Sequence, residues 1–184
     1  MTCIVGLVDN GDVWMGADSA AARDWELRHR SDPKVFRNGP FLLGFTTSFR
    51  MGQLLRFAFK PPAPPRRGNL DRFLATTWID AVRKCLTSGG FAKKKDAVES
   101  GGEFLVGVSG HLFIVYCDYQ IGESRDRMDA VGCGSDLALG ALFATAGMRP
   151  RQRIRIALEA AEHFSSGVIR PFKILSLKHE RTAK

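Results

Sequence analysis

The sequence predicts an α+β fold in which two antiparallel sheets stack on a shared core and helices lie on their outer faces. Three observations carry this. Short apolar strands are joined by tight turns, with Asn-Gly at 10–11 and again at 38–39 supplying positive φ angles. Helical spacing replaces alternation over 49–59, 70–86, 136–145 and 150–164. The order is strands, two helices, strands, two helices, strand, and a sheet-on-sheet core with helices outside buries every apolar stripe.

Each element has a local reason. Residues 2–8 are rich in β-branched and apolar types, "DNGD" closes a hairpin, and "VWMGADSA" returns, which puts Thr2 on the first strand. Charged "RDWELRHRSD" reads as a surface loop. "PKVFRNGPFLLGFTT" reads as strand, Asn38-Gly39 turn, strand. Met51, Leu54, Leu55 and Ala58 then recur at helical spacing until "KPPAPPRRG" stops the helix, because proline has no amide hydrogen and a fixed φ. Phe73, Leu74, Trp78, Ala81, Val82 and Cys85 share one face of a second helix. "TSGGFAKKKDAVESGG" reads as loop, and "EFLVGVSGHLFIVYCD" as two strands about a Ser-Gly turn. "AVGCGSD" ends a further strand and leads into an Ala/Leu-rich helix. Pro150 starts the next helix and Gly167 ends it. "FKILSL" is the last strand, before a polar tail. No repeat and no boundary interrupts 1–184, which reads as a single domain.

Composition narrows the function. The chain has 184 residues, 45% of them apolar, and no run long enough to span a membrane. It shows no secretory leader, and Cys3, Cys85, Cys117 and Cys133 form no CxxC pair, so reduced thiols in a cytoplasm are expected. No histidine stands at metal-ligand spacing to these cysteines. Net charge is +8, from 27 Lys and Arg against 19 Asp and Glu. The basic residues are dispersed and lack any recognition-helix, finger or aromatic RNA-binding signature, which argues against nucleic acid as the main partner. "GCGSD" lacks the Lys-Ser/Thr pair of a phosphate-binding loop.

The chemistry centres on Thr2. Once Met1 is removed, a leading threonine is a nucleophile with its own base: the hydroxyl attacks a carbonyl and the α-amine takes the proton. That amine titrates near neutrality in the unperturbed state. A lysine tunes both groups, and a carboxylate keeps the lysine charged and in place. Asp18 follows Thr2 by sixteen residues and Lys34 follows Asp18 by sixteen. The first hairpin brings Asp18 back beside Thr2, and the second is expected to carry Lys34 to the same end of the sheet. Each residue alone has a plainer reading: Thr2 as a strand residue, Asp18 as a cap, Lys34 as a solvated charge.

Together, "TCIVG…GDVWMGADSA" and "PKVF" resemble the proteasome β-subunit-like N-terminal-nucleophile (Ntn) hydrolases, in particular their simple bacterial type. The resemblance extends through "FLLGFTTSFRMGQLL", similar to the family's oxyanion turn, "AVGCGSDLALGAL", similar to its "GSGS" turn, and "ALEAAEHFSSGV", similar to its late helix end. It implies a four-layer αββα sandwich and a threonine-type peptidase or amidohydrolase. Thr2, Asp18 and Lys34 would be catalytic, with Thr46, Thr47, Ser135, His163 and Ser166 in oxyanion or supporting places. It also implies a homo-oligomeric ring with sites facing an inner chamber, peptide or unfolded-protein substrates, an ATP-dependent unfoldase as a partner the family admits, and no cofactor. The helix of Trp78 and the basic residues around Arg149 are the expected ring contacts.

Departures from the family pattern keep a second reading open, a catalytically inactive structural or binding member of the same fold. The oxyanion turn reads Thr46-Thr47-Ser48 where Gly and Ala are usual. Cys133 replaces the first Ser of "GSGS", and His163 stands where an Asp is usual. Taken alone, His163 reads as a helix-end residue, and Cys3 and Cys133 as structural thiols.

Overall fold

The computed structural model describes residues 1–23, 26–65, 67–95 and 98–179. The chain runs β1 (Ile4–Asp9), β2 (Asp12–Ala17), β3 (Ala20–Arg23), β4 (Glu26–His29), β5 (Val35–Asn38) and β6 (Phe41–Phe45). Next come α1 (Phe49–Gln53), continued by a π-helical turn over Leu54–Ala58, and α2 (Leu70–Phe73), joined through a second π-helical turn, Leu74–Trp78, to α3 (Ile79–Ser88). Strands β7 (Lys93–Lys95), β8 (Val98–Ser100), β9 (Phe104–Val108), β10 (His111–Val115), β11 (Ile121–Glu123) and β12 (Met128–Val131) lead into α4 (Ser135–Ala144), α5 (Pro150–Phe164) and β13 (Lys173–Leu177).

Two antiparallel sheets form the centre, ordered β12-β1-β2-β13 and β11-β10-β9-β6-β5. Strand period fixes which side chains go where. Along β1 and the residue before it, Cys3, Val5 and Leu7 pack towards α4 and α5, against Leu142, Ile154 and Leu158. Ile4 and Val8 face the other sheet with Val13, Met15, Leu42, Leu105 and Leu112. Along β6, Leu42 points into that inter-sheet layer, while Phe41, Leu43 and Phe45 point outward onto Met51, Leu55, Trp78 and Val82 of the first helical layer. Three apolar layers thus alternate with four layers of secondary structure, the αββα sandwich. Gly44 sets the sheet spacing: a Cβ there would stand 2.5 Å from the Met15 sulfur and 2.6 Å from Ile4 Cγ2.

Several local expectations need correction. Thr2 lies two residues before β1, not on it. The charged 23–32 stretch contains strands: β3 and β4 pair as a hairpin whose tip, residues 24–25, lies outside the described residues. Likewise β7 and β8 form a hairpin inside the segment read as loop, with residues 96–97 outside the described ones. Both are two-stranded, and β4, β7 and β8 are almost wholly exposed, so they carry no apolar alternation to detect. The second hairpin turns at Gly39-Pro40, with Asn38 paired to Phe41 as the last residue of β5. Gly39 has φ 56°, the positive value a two-residue turn needs at its first position. The Asn38 side chain instead donates to the Leu55 and Phe59 carbonyls, both at 2.9 Å, and ties off the end of the π-helical turn. Helix α5 ends at Ser165 in extended geometry, ahead of Gly167. The end of the polar tail, 180–184, lies outside the described residues.

Trp78 is wholly buried and rings with Phe41, Phe59 and Phe104 at centroid distances of 5.6, 5.6 and 6.2 Å, so it is core and not a surface contact. Trp78→Ala is expected to cost about 3–5 kcal/mol of unfolding free energy, read from the shift in a urea denaturation curve. No described helix is long and apolar enough to cross a membrane.

Candidate active site

Register builds the site. Ile4 pairs with Ala17, so the next pair out is Cys3 with Asp18, and the Asp18 amide donates to the Cys3 carbonyl at 3.3 Å. Thr2 and Asp18 are therefore held at one end of the four-stranded sheet. Lys34 arrives from the other sheet, immediately before edge strand β5, with its carbonyl accepting from the Phe45 amide at 3.1 Å. The expectation that it reaches the same sheet is corrected: its side chain crosses between the two.

The three side chains meet. Lys34 Nζ donates to Thr2 Oγ1 and to Asp18 Oδ1, each at 2.8 Å. Asp18 is fixed by two further donors, the Cys3 amide at 3.0 Å on Oδ1 and the Ala20 amide at 2.8 Å on Oδ2. Thr2, Asp18 and Lys34 are 5%, 2% and 1% exposed, so the ammonium has exchanged water for these oxygens. Burial lowers the Lys34 pKa, and the Asp18 charge and hydrogen bond oppose that shift. Beside them the Cys3 thiol is pushed up to about 12 by burial first and the Asp18 charge second, which leaves it an inert packing group.

The Thr2 nitrogen is a peptide amide with Met1 attached, and it donates to Cys133 Sγ at 3.3 Å. Thr2 Oγ1 donates to the Met1 carbonyl. Cys133 Sγ also lies 3.5 Å from Ser165 Oγ, whose oxygen accepts from the Gly167 amide at 3.4 Å. The sequence reading set Cys133 aside as structural and passed over Ser165; the place of Cys133 in the "GCGS" turn was the available signal. The structure does not bring in the neighbours chosen instead. His163 is exposed and stacks edge-on against Phe164 at 4.6 Å, Ser166 is exposed, and Ser135 opens α4 with its amide donating to the Gly132 carbonyl. Among the described residues, no hydrogen bond joins any of those three side chains to Thr2.

The oxyanion turn is also particular. The Thr46 amide donates to the Glu103 carbonyl at 3.1 Å, and the Ser48 amide closes a three-residue γ-turn on the Thr46 carbonyl at 2.7 Å. Thr47 sits at the centre of that turn with φ 64°, and its Oγ1 accepts from the Glu103 amide at 3.1 Å. Of the three amides, that of Thr47 is the one without a protein acceptor among the described residues, so Thr46 is corrected as an amide donor. A cavity of about 60 Å³ is lined by Met1, Thr2, Phe45, Thr46, Thr47, Ser48 and Phe49.

The chain has the fold of the proteasome-like Ntn hydrolases. BPH of Thiobacillus denitrificans, in complex with epoxomicin, superposes with a TM-score of 0.81 at 18% identity, over 98% of this chain and 100% of that one. HslV from Trypanosoma brucei gives 0.68 at 14% identity, over 97% and 100%. Anbu, an ancestral β-subunit from Yersinia bercovieri, gives 0.65 at 12%, over 95% and 81%. No protein-family model and no curated protein matches the sequence.

Two variants probe this site's construction. Lys34→Ala leaves the Asp18 carboxylate buried without its cation and is expected to cost about 3–5 kcal/mol, measured by denaturant midpoint. Gly132 has φ 100°, and a Cβ there would lie 2.2 Å from the Thr2 carbonyl oxygen. Gly132→Ala is expected to lower stability by about 2 kcal/mol or more and to shift the NMR signals of Thr2 and Cys3.

Proposed function

We propose that the chain is a threonine-type Ntn peptidase or amidohydrolase that cleaves amide bonds of peptides or unfolded proteins. The observation that carries this reading is the buried ammonium of Lys34 bridging Thr2 Oγ1 and Asp18 Oδ1. A positive charge at 2.8 Å from the hydroxyl stabilises the alkoxide character that develops as Oγ1 attacks. Asp18, held by two backbone amides, keeps that charge in place.

The reaction balances as follows. Removal of Met1 frees the Thr2 amine. Oγ1 attacks the substrate carbonyl carbon, and its proton passes to the amine and then to the leaving nitrogen as the amide C–N bond breaks. The resulting ester on Thr2 is hydrolysed by water, which restores the hydroxyl and releases the acid. The Thr47 amide is the donor for the oxyanion. Cys133, itself placed by Ser165, holds the Thr2 nitrogen and orients its lone pair once it is an amine.

One observation favours the inactive reading: with Met1 in place the Thr2 nitrogen is no base and its hydroxyl is occupied by the Met1 carbonyl. Intact mass decides between them. The purified protein is expected to lack Met1, to cleave fluorogenic peptide amides and to gain a covalent epoxomicin adduct on Thr2. Thr2→Ala is expected to lose at least a thousandfold in kcat/KM and the adduct, with its circular dichroism unchanged. A protein that keeps Met1 and cleaves nothing would establish the inactive member.

Assembly belongs to the same reading. Helix α4 buries Ala138 and Leu142 but leaves Leu137 and Phe143 exposed, Phe143 by 77%, so it is apolar on both faces. We place a second copy on that outer face, in a closed cytoplasmic ring, with an unfoldase as a candidate feeder. Light scattering is expected to give one oligomeric mass, and Phe143→Lys to reduce it.

A further inference from the structure

Cys133 stands against the nitrogen on which the proposed chemistry turns. Its Sγ lies 3.3 Å from the Thr2 nitrogen, 3.5 Å from the Thr2 carbonyl oxygen and 3.5 Å from Ser165 Oγ. The residue is exposed, whereas Thr2, Asp18 and Lys34 are buried. Gly167 makes room beside the sulfur: a Cβ there would stand 2.8 Å from Cys133 Sγ and 2.4 Å from Met1 Cβ. Met1 and the sulfur thus share the space above Gly167, and removal of Met1 widens that space in the same step that frees the amine.

Three potential nucleophiles neighbour this sulfur, and two of them are committed elsewhere. The Cys3 thiol is pushed up to about 12 by burial first and the Asp18 charge second, so it stays protonated. Lys34 Nζ donates to Thr2 Oγ1 and Asp18 Oδ1. The third is the Thr2 nitrogen, at the shortest of the three polar contacts the sulfur makes. As a free α-amine it titrates near neutrality in the unperturbed state and offers a lone pair at working pH.

We propose that Cys133 is an oxidation site through which a peroxide reversibly blocks the nucleophile, the oxidised sulfur closing on the Thr2 amine as a sulfenamide. The inference rests on Thr2 being an N-terminal nucleophile. The Cys133 thiolate attacks one peroxide oxygen, the O–O bond breaks and the other oxygen leaves as hydroxide. Sulfur is thereby oxidised to the sulfenic acid and the peroxide is reduced. The Thr2 amine then attacks that sulfur: the S–N bond forms, the S–O bond breaks, and the departing hydroxyl leaves as water with an amine proton. The nitrogen that accepts the Oγ1 proton in catalysis is now held by sulfur. A thiol reverses the closure by attacking the sulfur, giving its proton to the nitrogen and forming a mixed disulfide, which a second thiol reduces. Closure also shields the sulfur from the irreversible step to sulfinic acid. A serine at this place would hold the nitrogen equally but has no such chemistry.

The test uses the purified protein with Met1 removed, hydrogen peroxide and a fluorogenic peptide amide. Fully modified protein is expected to lose about a hundredfold in kcat/KM, the scale of a general base. Peptide mapping is expected to join the N-terminal peptide to that of Cys133 with the loss of two hydrogens, and the N-terminus to escape an amine-labelling reagent. Dithiothreitol is expected to restore rate and labelling. Cys133→Ser, compared with its own rate before peroxide, is expected to keep that rate and a free amine. Cys3→Ala is expected to respond as the parent chain does, which separates the sulfenamide from a disulfide between Cys3 and Cys133, since the disulfide leaves the amine free. Thermal melting verifies that both variants are folded. Suppose epoxomicin labels Thr2 of the untreated protein, but peroxide leaves the rate unchanged, inhibits Cys133→Ser equally, or modifies Cys133 with the amine still free. The inference is then overturned while the nucleophile stands. If Met1 is retained and Thr2 is never labelled, the nucleophile reading falls and this inference with it.

Discussion

The ammonium of Lys34, buried between two sheets, is the constraint on which the rest of the site depends. An unpaired charge in that position would be driven neutral, since its desolvation far exceeds what packing returns. Two oxygens at 2.8 Å oppose that loss of charge, and neither is free to drift. Asp18 is clamped by backbone amides on both of its oxygens, and Thr2 is held by the chain that leads into β1. Because Lys34 belongs to the five-stranded sheet and its partners to the four-stranded one, the centre forms only when the sheets stack in one register. The inter-sheet layer of Ile4, Met15, Leu42 and Leu105 therefore does more than stabilise: it aligns three polar side chains to within hydrogen-bonding distance.

Much of this was legible in the sequence, for physical reasons that can be named. Tight turns and period-two apolar strands exposed the central hairpins, and helical spacing exposed the covering helices, because each central element buries at least one face. The hairpins β3–β4 and β7–β8 escaped because each is only two-stranded, and the side chains of β4, β7 and β8 are charged or exposed and show no apolar alternation. The turn after β5 was misplaced by one residue because Asn38 is a plausible turn residue whose amide is used instead to tie off a neighbouring helix. The equal spacing of Thr2, Asp18 and Lys34 suggested a meeting, but not that the lysine would cross from another sheet. Strand order is set by long-range pairing, which local pattern does not encode.

The supporting groups were the least legible part. Which atoms surround the Thr2 nitrogen depends on how the "GCGS" turn and the end of α5 approach it, and single residues decide that. Gly132 lets the turn come against the Thr2 carbonyl, and the extended exit at Ser165 turns Ser165, rather than His163 or Ser166, towards Cys133. A thiol at this place is larger, softer and a weaker hydrogen-bonding group than a hydroxyl. It holds the nitrogen at 3.3 Å and leaves the strong electrostatics of the centre to Lys34 and Asp18.

The turn at Thr46–Ser48 joins this centre to the start of α1 at Phe49. A β-branched residue at φ 64° is strained, and here the strain is offset by two contacts with Glu103: the Thr46 amide on its carbonyl and the Thr47 hydroxyl on its amide. Glu103 directly precedes β9, which pairs with β6, so the turn is pinned to the sheet and not only to its own helix. Ser48 in turn caps α1 through its side chain and so fixes where Phe49 begins. Phe49 then presents one ring to Lys34 and to Arg30. The hydroxyls of this turn thus do structural work that glycine could not: they fix the turn's free amide and the Phe49 ring relative to Thr2 and Lys34.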